Sequence, residues 1–93
     1  MIRRSRVSKT EQVKLTFALP QDQPAGTVSV VGDFNDWTPG KHALAKRANG
    51  TRSVSVTVPA GSKVRFRYLG QDGHWFDDPD ADRVEHDASV LEV

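Results

Sequence analysis

Ninety-three residues suit one domain and no more. The absence of cysteine excludes disulfides and thiolate metal sites. Thirteen Lys and Arg against twelve Asp and Glu leave a net charge of +1, which gives no global pull toward nucleic acid or a membrane surface. No apolar run approaches the roughly 20 residues needed to cross a bilayer, and the basic start lacks the apolar stretch of a signal peptide. A soluble, cytoplasmic protein is the expectation.

Residues 1–10 are basic, with Arg3, Arg4, Arg6 and Lys9, and show no sustained period. They read as a flexible tail, and residues 11–93 as the domain. From Glu11 to Leu19 the chain alternates, with Val13, Leu15, Phe17 and Leu19 on one face, as a half-buried strand does. Pro20 ends it. A second strand is expected at 27–31, with Val28 and Val30 inward rather than Val31. It runs into Gly32-Asp33-Phe34-Asn35-Asp36-Trp37, where glycine eases a turn and Asn35 and Asp36 bond their own backbone. Phe34 is assigned to the core. Trp37, followed by Thr38-Pro39-Gly40-Lys41, reads as an aromatic held in a loop and so as a ligand platform.

His42 to Lys46 is a short strand with Leu44 inward, and Asn49-Gly50 signals a hairpin. Val54, Val56 and Val58 alternate in the next strand, then Val64, Phe66 and Tyr68 in the one after Pro59-Ala60-Gly61. Arg65 and Arg67 fall on its outward face. Gln71-Asp72-Gly73 is a second tight-turn signal before His74-Trp75-Phe76. Asp77 to Asp82 is loop, and Ala88 to Val93 a last strand with Leu91 inward. No helical period persists for ten residues. About seven short strands with turns every eight to twelve residues imply an all-β fold, two antiparallel sheets packed as a sandwich.

Catalysis finds no support. The sequence holds no HExxH, no GxSxG and no phosphate-cradling glycine loop, and His42, His74 and His86 are scattered in polar surroundings. Asp77 and Asp78 are adjacent, so on a strand they would point to opposite faces rather than form a carboxylate pair. Asp78, Asp80 and Asp82 have the opening spacing of a calcium loop. Position 6 is Arg83 instead of glycine and position 12 is Ser89 instead of glutamate, so no metal is expected. What remains is binding. A flat indole can cover the C–H face of a sugar ring while polar side chains bond its rim of hydroxyls, and Trp37 and Trp75 are the only tryptophans.

The order Gly32-Asp33-Phe34-Asn35-Asp36-Trp37, Phe66-Arg67-Tyr68, Asp72-Gly73-His74-Trp75 and Asp78-Pro79 resembles the family-48 carbohydrate-binding modules over residues 11–93. That family includes the N-terminal domains of isoamylases and glycogen-branching enzymes and the glycogen-binding domain of the AMP-activated kinase β subunit. The resemblance implies an early-set immunoglobulin-like sandwich and non-catalytic binding of α-glucans such as glycogen, starch or maltooligosaccharides, without a cofactor. Trp37 and Trp75 are similar to the two stacking tryptophans, and Arg67 stands where glycogen binders usually have a hydroxyl-bonding lysine. Asp87-Ala88-Ser89 replaces an asparagine-containing segment. Ser89 is expected in the amide's place, with a shorter reach. A glycogen-metabolising enzyme is the implied protein partner; neither nucleic acid nor membrane is implied. Some members keep the fold without binding sugar, so the alternative is a stand-alone protein-interaction or regulatory domain.

Overall fold

Alternating apolar positions make two long strands, β2 (Gln12–Pro20) and β5 (Thr51–Pro59), and place Val13 opposite Val58, Leu15 opposite Val56 and Phe17 opposite Val54. These cross-strand pairs form the inner face of one sheet. β1 (Ile2–Arg6) and β4 (Ala45–Lys46) complete it in the antiparallel order β1-β2-β5-β4. The second sheet has the order β3-β6-β9-β8, from β3 (Val28–Gly32), β6 (Lys63–Gly70), β9 (Ala88–Glu92) and β8 (Arg83–Glu85). A short β7 (Trp75–Phe76) folds back on β6. This computed structural model describes residues 2–6, 11–22, 26–85 and 88–93. Among them there is no α-helix, and the two sheets face each other as a sandwich.

Between the sheets lie Leu15, Phe17, Val30, Phe66, Tyr68 and Leu91, all without solvent exposure, with Val13, Val28, Leu44, Val56, Val58 and Val64 around them. Phe17 is the hub, its ring 4.8 Å from Phe66 and 6.0 Å from Phe34. Phe34 and Val54 are partly buried and pack on this core, so the inward assignments hold. Val31 is also fully buried, from the opposite face of its sheet, where it pairs with Arg67.

Residues 2–6, expected in a flexible tail, instead form an edge strand along β2. Ile2 packs on the core, and Arg4 spans the sandwich to hold both oxygens of Asp82 at 2.9 and 3.0 Å. A backbone ladder and one apolar anchor suffice for an edge strand, so alternation is not needed. The rest of the expected tail, residues 1 and 7–10, lies outside the described residues. β8 also lacks a sequence signature; only three residues long, it is held by pairing to β9.

Gly32 differs from its expected role as well. Its backbone is extended, with φ −163°. The reason for glycine is space: a Cβ there would lie 2.5 Å from the Arg65 carbonyl oxygen and 2.6 Å from the Phe34 ring.

Candidate functional site: an aromatic cleft on the outer sheet face

The loop after β3 is built around one buried amide. Asn35 Oδ1 accepts the Gly32 N–H at 3.0 Å, and Asn35 Nδ2 donates to the Val30 carbonyl at 3.1 Å. The chain is thereby folded into a single 3-10 turn over Asp33–Asn35. The Asp33 carboxylate ties that turn to β6 by accepting the Arg65 N–H at 3.3 Å. Leaving the turn, Asp36 and Trp37 both adopt left-handed backbone, with φ of 55° and 56°. A left-handed conformation is uncommon for any residue with a Cβ and a true outlier for a bulky one. It is held by the Trp37 N–H, which donates to the Gly32 carbonyl at 2.9 Å. The strain has a consequence: the indole is turned outward and remains 41% exposed.

The second tryptophan arrives from the other end of β6. Asp72 and Gly73, with φ of 63° and 77°, reverse the chain, and Trp75 pairs with Leu69 across the hairpin. It is 40% exposed. Side chains two apart share a face, so Leu69, Arg67 and Arg65 line up beneath it. The Arg67 guanidinium lies 5.8 Å from the Trp75 ring centroid, within cation–π range. Trp37, Trp75, Arg65, Arg67 and Ala88 together line an open cleft of about 300 Å³.

The cations in this cleft are already matched. Arg67 Nε sits 3.4 Å from Asp77 Oδ1, without the geometry of a hydrogen bond, and Arg65 lies 3.5 Å from Glu85. A hydrogen bond from Arg83 holds the Glu85 carboxyl below its ordinary range, with Lys63 adding to the effect. Glu85 is shared with Lys63 and Arg83, so the pairing offsets the charge of Arg65 only in part and leaves guanidinium N–H groups to donate.

Trp37, Trp75 and Arg67, three of the four expected contacts, thus meet on one surface. Ser89 does not join them. It pairs with Phe66, points to the inner side of β9 and has no solvent exposure. Its hydroxyl accepts the Asp78 N–H at 3.1 Å and donates to Asp77 Oδ1 at 3.0 Å, so it supports the carboxylate that faces Arg67. The residue that β9 presents to the cleft is Ala88, which offers only a methyl. Arg65 also lines the cleft; in the sequence it stands beside Arg67 as an outward residue able to bond hydroxyls.

The acidic segment is likewise structural. Asp78, buried, accepts from the Tyr68 hydroxyl at 2.5 Å and from the Asp80 N–H at 2.8 Å, while Asp82 accepts from Arg4 and from the Glu92 N–H. Among the described residues, no three His, Asp or Glu side chains converge as a metal site.

The chain is similar to a short segment of 1,4-alpha-glucan branching enzymes. The enzyme from Ralstonia nicotianae is 38% identical over 95 aligned positions, which cover 82% of this chain and 12% of the enzyme. That from Marinobacter nauticus is 39% identical over 74 positions, 74% of this chain and 12% of the enzyme. The Thermosynechococcus vestitus enzyme is 35% identical over 57 positions, 60% of this chain and 7% of the enzyme. This chain therefore spans about an eighth or less of the curated relatives it matches. No family model matches the chain.

Proposed function

We propose that the cleft is a non-catalytic binding site for α-1,4-linked glucan, as the resemblance to family-48 carbohydrate-binding modules implies. The observation that carries this reading is the pair of outward indoles, Trp37 and Trp75, flanking Arg65 and Arg67 in one open cleft. Each indole covers the C–H face of a glucose ring, and the arginines donate to its hydroxyls from between them. The helical curl of an α-linked chain presents successive rings at an angle, which suits two platforms raised from separate loops. A flat β-linked chain fits them poorly. Two stacked rings at roughly 1–2 kcal/mol each, with a few hydrogen bonds in competition with water, give dissociation constants between about micromolar and millimolar. The similarity to segments of glucan branching enzymes supports the substrate class.

The test is tryptophan fluorescence during titration with maltoheptaose, with cellohexaose as the control. Both reporters lie in the cleft. A saturable change with the α-linked sugar alone is expected. Equal responses to both sugars, or none up to tens of millimolar, would sink the reading, and the second result would favour a protein-interaction domain.

A further inference from the structure

The loop that carries Trp37 is tied to a histidine, His42, through the amide of Asn35. The Asn35 amide cannot be turned over: its Oδ1 faces a backbone N–H, at Gly32, and its Nδ2 faces a backbone carbonyl, at Val30. The remaining amide hydrogen points to His42 Nδ1, 2.9 Å away. A donor needs an acceptor, so Nδ1 is unprotonated and the imidazole is neutral, with its hydrogen on Nε2. Protonation would set an N–H against the amide NH₂ beside a residue that is only 2% exposed. The buried amide and the half-buried ring must then part, and the turn from which Trp37 projects loses its tie to His42.

The His42 residue is half-buried. His42 packs against the Phe34 ring edge-on at 5.6 Å, and its own carbonyl accepts the Val30 N–H at 3.0 Å. Among the charged groups on these elements, Asp33 is bonded to the Arg65 N–H, and Asp36 and Lys41 are exposed. Among the described residues, none is hydrogen-bonded or ion-paired to the ring.

We infer that His42 is a positioning residue for the platform: its neutral imidazole, by accepting from Asn35, holds the Trp37 loop in its ligand-ready form and releases it when the medium turns acid. This rests on the glucan-binding reading only for its effect on affinity.

The experiment has two arms. In the first, long-range ¹H–¹⁵N spectra of the imidazoles are recorded on the full chain without sugar at about pH 8, then down to about pH 5. The expected result is a His42 ring protonated on Nε2 alone at the upper end, with the Trp37 amide resonance moving as that ring titrates. A His42 ring carrying its proton on Nδ1, or a Trp37 amide that stays fixed, overturns the inference.

In the second arm, maltoheptaose affinity is measured across the same range for the parent, His42→Asn and His74→Asn. Loss of the acceptor weakens the parent by about tenfold at the acid end. His42→Asn supplies an Oδ1 acceptor that does not titrate, and its affinity should stay flat and close to the parent's neutral value. His74, stacked 5.4 Å from Phe76 next to Trp75, is the competing source of pH dependence. His74→Asn should keep the parent's profile. A flat parent, a His42→Asn variant that follows the parent, or a His74→Asn variant that abolishes the profile overturns it. If maltoheptaose does not bind at any pH, the glucan reading fails, and the first arm alone decides the role of His42.

Discussion

Replacing Trp37 by alanine and by glycine separates its backbone from its indole. Both variants lose the platform equally, so both should bind maltoheptaose about 5- to 30-fold more weakly, the equivalent of roughly 1–2 kcal/mol of stacking. Their stabilities should differ. At φ 56° the alanine Cβ clashes with its own backbone and glycine has none. The clash costs about 1–2 kcal/mol, against which glycine loses about 0.5–1 kcal/mol through its freer unfolded chain. Glycine should therefore be the more stable variant by about 0.5–1 kcal/mol, or about 2–8 °C in Tm for a domain of this size. In extended or helical backbone the order is reversed, with alanine ahead. Urea unfolding and thermal melts of the two variants, side by side, read the sign directly. An alanine variant as stable as the glycine one would refute the left-handed placement of Trp37. Parental affinity in both variants would refute its role as a platform.

Ser89→Ala should destabilise the domain by about 1–3 kcal/mol, because the buried Asp78 N–H loses its acceptor, while glucan affinity changes by less than about threefold. A loss of affinity as large as that of Trp37→Ala would return the hydroxyl to the sugar. Tyr68 is the single tyrosine, and burial followed by the Asp78 carboxylate pushes its phenol far above the ordinary range. A raised folded value means that its stabilising contribution is complete below the unfolded value near 10 and drains away as pH rises beyond it. An alkaline titration at 295 nm should accordingly show no tyrosinate until the domain unfolds, with both transitions coincident. Tyrosinate forming near pH 10 in a folded domain would contradict the buried Tyr68–Asp78 pair.

Much of the fold was legible because one face of most strands is wet. In β2, β5 and β6 the apolar residues alternate with polar ones, so parity can be read directly, and Val13, Leu15, Phe17, Val56, Val58, Val64, Phe66 and Tyr68 all face the core as expected. β9 defeats that logic. Ala88, Ser89, Val90 and Leu91 are all buried, Leu91 in the core and Val90 between Arg65 and Arg83 in the ladder. A strand buried on both faces carries no parity signal. Placing Ser89 on the cleft side is a one-residue error of face, and only pairing with Phe66 corrects it. β1 escaped for the opposite reason: four of its five residues are exposed, and its place is set by the backbone of β2.

By itself, then, the sequence determined the fold class, the turns and the apolar set, and singled out Trp37, Trp75 and Arg67 as candidates, because period, breakers and residue chemistry are local properties. The tertiary structure alone decided that two loops at opposite ends of β6 bring their indoles to one cleft, that Asp77 and Glu85 pair with its arginines, and that Asn35 bonds His42. The cleft and the Arg65–Glu85 pair join residues far apart in the chain, and depend on which strands pair and in what register, information that no local window contains.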